Sequence, residues 1–170
     1  MNKLKISLVL LITMLSVEAF AQQTKIGYVD KVKVLTELDS WKDADKRLMK
    51  MKEDAEFELI GMTTEADSLN KVLQNQMMLT DAMRTQIQGR IVKLSQDYQR
   101  VGVTRQQELI QTENSLKSPI LDAFDDIVRD LGIKEDFTFI YDNTINSILF
   151  ASGGRDLTEQ VLFELRKNYK

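Results

Sequence analysis

The 170-residue sequence has no cysteine and no histidine, one proline, seven glycines and only 7% aromatic residues. Without cysteine there is no disulfide, no thiol nucleophile and no thiolate metal site. Without histidine there is no imidazole base, no histidine-containing triad and no Cys/His zinc centre. A catalytic site would have to run on carboxylates, lysine, tyrosine or serine alone. An excess of positive charge is missing as well: 23 Lys+Arg stand against 26 Asp+Glu, a formal net charge of −3. That balance argues against a nucleic-acid binder, which needs a basic face. Long hydrophobic runs are also absent. The longest, Ile6 to Val17, has 12 residues, too few for the roughly 20 that cross a bilayer. What is present is a helix-rich chain with 29% charged residues, long enough for one compact domain or a small domain plus an extended element.

The short apolar run belongs to an export signal. Lys3 and Lys5 precede it, and Ala19-Phe20-Ala21 follows with the small-x-small cleavage pattern. Cleavage after Ala21 is expected, leaving Gln22 as the first residue of an exported chain with a net charge of −4. No cysteine follows the cut, so a lipoprotein route is closed.

The remainder falls into an α+β, mainly α, arrangement. Residues 25–30 (Lys-Ile-Gly-Tyr-Val-Asp) read as a short strand, and Lys31 to Leu38 as one or two helical turns bearing Val34, Leu35 and Leu38. From about Ser40 the period is helical. Trp41, Ala44, Leu48, Met51, Ala55, Leu59, Met62, Ala66, Leu69 and Leu73 step by three or four, the spacing of a coiled-coil seam. The 4-4 step through Met51, Ala55 and Leu59 locally straightens or reverses a supercoil. Periodicity lapses at Gln74-Asn75-Gln76. Thr80 then reads as the N-cap of a second helix with Met83, Ile87, Ile91, Leu94, Tyr98, Val101, Leu109 and Leu116 as its seam. Two long helices joined by a short polar link predict an antiparallel hairpin over residues 40–117. At 1.5 Å per residue it reaches roughly 50 Å, too far for a chain of this size to wrap, so it should project.

Residues 118–170 change character. Ser118-Pro119 reads as an N-cap with proline at the first helical position, opening a helix with Ile120, Leu121, Phe124, Ile127, Val128 and Leu131 on one face and Gly132 just past its end. Phe137–Tyr141 and Ser147–Ala151 read as two strands around an Asp142–Asn146 turn, and Asp156 with Glu159 opens a final helix. Eight of the eleven aromatic residues after Ala21 lie near the chain ends, so residues 22–39 and 118–170 are expected to build one head into which the hairpin is inserted. Ile26, Tyr28, Val29, Phe139, Tyr141, Ile148 and Phe150 are its expected core and oligomer contact. A head of three short strands and two helices leaves strand edges open, and subunit association would close them into a small barrel-like sheet.

No catalytic constellation emerges. Asp125/Asp126 and Asp54/Glu58 read as solvated charged faces, and Gly153-Gly154-Arg155 reads as a turn rather than a phosphate loop. The six acids between Glu53 and Asp67 lack the order of a calcium loop. The chain is not expected to be an enzyme or to hold a cofactor or metal. Its informative residue is methionine: six remain after Ala21, at 49, 51, 62, 77, 78 and 83, all in the hairpin. Met51, Met62 and Met83 fall on the seams. Met49, Met77 and Met78 fall off them or near the tip, where adaptable apolar side chains suit many partners. Met49, Met77, Met78 and Met83 are the candidate binding residues. Gly61, Gly89 and Gly102 each cost about 1 kcal/mol relative to alanine inside a helix. They are candidate points of hairpin flexibility, with neutral slack as the other reading.

Taken together, the Lys-Ile-Gly-Tyr-Val-Asp strand, the polar hairpin, the Phe-Thr-Phe-Ile-Tyr-Asp…Ser-Ile-Leu-Phe-Ala stretch and Asp-Leu-Thr-Glu-Gln-Val-Leu resemble the Skp (OmpH) family of periplasmic chaperones, from Lys25 to about Leu165. The resemblance implies a homotrimer. Strands of three subunits would form a small β-barrel body, with three helical tentacles enclosing unfolded outer-membrane proteins and preventing their aggregation without ATP. One departure stands out. Basic members use lysine-rich tips toward acidic clients and anionic lipid, whereas here residues 40–116 carry 11 basic and 12 acidic side chains. Membrane or lipopolysaccharide contact is therefore not expected, and apolar contact gains relative weight. Two other classes stay open: an envelope coiled-coil scaffold that binds a folded partner, and a lipid carrier. The first should have a better seam, the second an enclosed apolar pocket.

Overall fold

The computed structural model describes residues 24–75, 79–144 and 153–169. The proposed export signal, Met77, Met78 and the strand expected at Ser147–Ala151, with Ile148 and Phe150, lie outside the described residues. The elements run β1 (Ile26–Val29), α1 (Lys31–Glu37), α2 (Asp39–Gln74), α3 (Asp81–Lys134), β2 (Phe139–Asp142), β3 (Arg155–Asp156) and α4 (Thr158–Leu165). The fold is mainly helical, with a small, unclosed three-stranded sheet.

Local chemistry explains each boundary in the head. Asp30 ends β1 and caps α1, its Oδ1 accepting the Lys33 N–H at 2.8 Å. Strand β1 is central, in the order β2-β1-β3, and both neighbours run parallel to it with Ile26 opposite Phe139 and Gly27 opposite Arg155. Gly27 is required there. A Cβ would stand 2.9 Å from Leu157 Cδ1 and 3.2 Å from both Ile140 and Phe137. The two-residue strand β3 was not anticipated; Asp156, expected to open the last helix, lies in it. Its Oδ1 still accepts the Thr158 N–H at 2.9 Å, one residue ahead of the predicted start of α4. At Asp142 an Asx turn forms, with its Oδ1 accepting from Thr144 N at 2.9 Å.

The head core gathers Val29, Val34, Leu35 and Leu38 from the N-terminal stretch, Ile120, Phe124 and Leu131 from α3, and Leu157, Val161, Leu162 and Leu165 from the C-terminal one. Leu38, Leu157 and Leu165 are fully buried. Chain ends that are distant in sequence thus share one core.

Two expected helix boundaries are corrected. Ser118-Pro119 does not start a helix: α3 is a single 54-residue helix with Pro119 inside it. Proline there forfeits the bond to the Ser115 carbonyl and crowds that carbonyl with its ring. Ile120 and Phe124, buried one turn on, anchor the helix across the gap. The Tyr169 hydroxyl donates to the Pro119 carbonyl at 3.1 Å. Gly132 is likewise not the residue past the helix end. The helix runs on to Lys134, Glu135 is the cap, and Asp136 takes the left-handed conformation at φ 55°. Phe137 N–H then reaches back to the Gly132 carbonyl at 2.9 Å and Asp136 N–H to the Ile133 carbonyl, the two bonds of a Schellman motif.

Beyond Trp41 in α2 and before Ile120 in α3, no residue joins the head core among the described residues. There the helices pack on each other, and the α2 seam is as expected: every seam residue from Trp41 to Leu73 is buried or half-buried. The α3 seam holds at Ile87, Ile91, Leu94, Val101, Leu109 and Leu116. It fails at Met83 and Tyr98, which are 47% and 42% exposed. Met83 sits on the first turn, where Thr80 Oγ1 accepts its N–H, and Tyr98 lines the depressions beside the seam.

Candidate functional site

A helix turns by about 100° per residue, so side chains on either flank of a seam fall on opposite faces of a two-helix hairpin. On one face the helices are tied by ions. Arg90 Nε meets Glu65 Oε1 at 2.7 Å, and Arg105 holds Glu58 Oε2 at 2.8 Å while also bonding Glu108. The Arg90 hydrogen bond holds the Glu65 carboxyl below its usual range, and Glu108 and Glu58 push the Arg105 guanidinium up. These pairs are solvent-exposed and contribute little net stability; they set which residues face each other.

The opposite face is grooved. Near the root a depression of about 270 Å³ is lined by Asp45, Leu48, Met49, Lys52, Gln106, Leu109, Ile110, Glu113 and Lys117. Lys117 is its organising charge: its Nζ lies 2.7 Å from Asp45, 3.4 Å from Glu113 and 4.6 Å from the centre of the Trp41 ring. Burial works against its charge, but the two carboxylates outweigh that and raise its pKa. Farther out the groove loses charge. A depression of about 180 Å³ between Glu56, Leu59, Ile60, Thr63 and Tyr98 is followed by one of about 300 Å³ between Met62, Thr63, Ala66, Ile91, Leu94, Ser95, Tyr98 and Gln99. The last has no charged residue in its lining.

On the outer side of α3, opposite its seam, runs a set of exposed uncharged residues, of which Gln99 and Ile110 reach the groove. Val92, Gln96, Gln99, Val103, Gln107 and Ile110 follow at steps of four, three, four, four and three, all exposed. Lys93 and Arg100 share the side of α3 that carries Gln107, and Arg100 pairs with Asp97 at 2.9 Å.

The anticipated site residues are placed as follows. Met49 is 63% exposed on the groove wall and Met83 47% exposed near the tip. Met51 and Met62 are half-buried between the helices. Phe57, 81% exposed, and Ile60, 61% exposed, add apolar surface that was not singled out. Gly61 and Gly89 are exposed and Gly102 half-buried, with open space where a Cβ would sit. In the head, Val29 is buried, Ile26, Tyr28 and Tyr141 are half-buried, and Tyr28 and Tyr141 rings lie 5.9 Å apart. Phe139 is 48% exposed on the edge strand β2, so it is not part of the core within one chain. No cluster of three carboxylates able to hold a metal occurs among the described residues, and no helix there is long and apolar enough to cross a membrane.

Comparison with known proteins gives one family and one fold. Residues 25–165 match the family described as Outer membrane protein (OmpH-like). The crystal structure of an OmpH-like protein from Caulobacter crescentus CB15, described as a candidate outer membrane chaperone, superposes with a TM-score of 0.66 at 20% identity and covers 85% of each chain. No curated protein matches the chain.

Proposed function

The chain belongs to the OmpH-like family of non-catalytic periplasmic chaperones, and from that membership we propose that it is an exported, ATP-independent holdase for unfolded outer-membrane β-barrel proteins. The observation that supports this most is a hairpin of 36- and 54-residue helices whose outer part, among the described residues, packs only on itself and carries exposed Met49, Phe57, Ile60 and Val103. Such surface offers many weak apolar contacts. They shield a client from intermolecular strand pairing while leaving its release possible.

In this reading residues 1–21 are removed, residues 22–39 and 118–170 form the head, and residues 40–117 form the tentacle. Strands β2 and β3 are edges, and three heads joined through them, with Phe139 and Tyr141 at the contact, would enclose a cavity between three tentacles. Met49, Met77, Met78 and Met83 would meet the client. Electrostatic capture plays a small part, because the hairpin is nearly neutral.

Sedimentation of Gln22–Lys170, alone and after dilution of a urea-unfolded outer-membrane barrel without nucleotide, tests the proposal. A three-subunit species that keeps the client soluble is the expected result. A trimer that lets the client precipitate favours an envelope scaffold, and a monomer overturns the shared-sheet assembly.

A further inference from the structure

The two outer edges of the hairpin carry stripes of their own. On α2, Glu53, Phe57, Ile60, Thr64 and Asp67 recur at steps of four, three, four and three, all exposed and turned away from the seam of Ala55, Leu59, Met62 and Ala66. On α3, the exposed Lys93, Gln96, Arg100 and Val103 recur in the same way, opposite the seam of Ile91, Leu94 and Val101. Alternating steps of three and four are the pattern of a helix-helix contact. Each helix thus uses one such stripe inside the chain and presents a second one outward. The near-zero charge of the hairpin also hides a separation. Residues 53–67 of α2 hold six acids and no base, and residues 84–105 of α3 hold five bases and one acid. The pairs Arg90–Glu65 and Arg105–Glu58 take up part of that attraction within the chain. Among the described residues Glu53, Asp67 and Lys93 form no ion pair, and Arg100 gives only Nη2 to Asp97. The same two cross-helix pairs set the level of α3 on α2. Along the hairpin axis Lys93 stands within about one helical turn of Asp67, Gln96 of Thr64, and Arg100 and Val103 of Ile60 and Phe57. The sheet has two different edges, β2 and β3. A ring that joins β2 of one head to β3 of the next sets the hairpins side by side in one sense, so the α3 edge of each meets the α2 edge of its neighbour.

We propose that in the empty assembly the basic α3 edge of each hairpin packs against the acidic α2 edge of the next copy of this chain, with Lys93 opposite Asp67, Gln96 opposite Thr64, and Arg100 and Val103 over Ile60 and Phe57. The contact lies in the hairpins, away from the shared sheet. It rests on the side-by-side assembly of heads proposed above, which holds the edges at a high effective concentration; exposed pairs of this kind are too weak to associate alone. The contact weakens with salt. It covers Phe57 and Val103 while the cavity is empty and bares them when a client parts the edges.

The test uses Gln22–Lys170 with Thr64→Cys and Gln96→Cys. The chain has no cysteine of its own, and these positions lie on opposite edges of one hairpin, so a disulfide between them joins two copies. Under mild oxidation, covalent dimers and trimers should form at least fivefold faster than with either cysteine alone, or with Gln99→Cys in place of Gln96→Cys. The rate should not change on tenfold dilution and should fall at least threefold between 0.05 and 0.5 M salt. Lys93→Glu should lower it at least threefold, and adding Asp67→Lys should restore it; helix content by circular dichroism checks that the variants fold. Rates equal to those of the controls, a rate indifferent to salt and to Lys93→Glu, or a rate that falls in proportion to dilution would overturn the proposal. A urea-unfolded outer-membrane barrel should slow the disulfide at least twofold, and an unchanged rate would refute the parting of the edges by a client. Sedimentation under reducing conditions scores the assembly separately. A trimer that forms no disulfide between positions 64 and 96 loses this inference alone, whereas a monomer loses the shared sheet and the edge contact that rests on it.

Discussion

Replacing Gly61, Gly89 and Gly102 together by alanine should stabilise the protein, while the same change at Gly27 should destabilise it. At the three hairpin positions a Cβ meets nothing within 4 Å, so the substitution brings no clash. What remains is the backbone term, about 0.5–1 kcal/mol per site in favour of alanine inside a helix, or about 1.5–3 kcal/mol for the triple variant. At Gly27 the added Cβ would lie 2.9 Å from Leu157 Cδ1 and 3.2 Å from Ile140 Cγ1 and Phe137 Cδ1. Leu157 is fully buried, so its methyl has nowhere to retreat, and overpacking of this kind costs about 1–3 kcal/mol. For a chain of this size roughly 2–4 °C of melting temperature corresponds to 1 kcal/mol, so the triple variant should melt about 3–12 °C higher and Gly27→Ala about 2–12 °C lower. Thermal unfolding followed by circular dichroism at 222 nm reads both. A triple variant that melts at or below the unsubstituted protein would refute the reasoning, because it would mean that the glycines serve the packing. The same variant tests the proposed flexibility role: if it holds clients of every size as before, hairpin flexibility is not what those glycines provide.

Leu38→Ala removes a fully buried side chain that joins α1, α2 and the head core, and should lower stability by about 2–5 kcal/mol in urea unfolding. Lys117→Met breaks the root contacts with Asp45, Glu113 and the Trp41 ring. Its loss should be about 1 kcal/mol in 0.05 M salt and smaller in 1 M salt, since the carboxylates are half exposed. Asp156 sits where burial would raise its pKa, but the Thr158 hydroxyl and amide and the Lys33 charge prevail and hold it below the ordinary aspartate value. A lowered folded-state pKa contributes stability above the unfolded value, near 4, that is lost as pH falls through the folded one. Asp156→Asn should therefore flatten the fall in melting temperature below about pH 4 and leave its slope at pH 6–8 unchanged.

The helical hairpin was legible in the sequence because its cause is local. A three-four spacing of apolar residues from Trp41 to Leu73 and from Ile87 to Leu116 needs no distant partner to define a seam, and Thr80 marks the second helix start by its own side chain. Helix continuation through Pro119 and Gly132 was not legible, because residues that weaken a helix in isolation are overruled by the buried contacts of Ile120, Phe124 and Leu131. Strand β3 is only Arg155 and Asp156, and it is a strand because Gly27 and Tyr28 bond to it. The candidate site divides in the same way. Exposure of Met49 follows from its position off the seam, whereas the Tyr98 recess depends on which α2 residues stand opposite Ile91 and Leu94. By itself the sequence determined period, caps and the composition of each helix face. Tertiary structure alone decided which residues of α2 stand opposite which of α3, and the pairing of β1 with β2 and β3, since those interactions join residues that the chain keeps far apart.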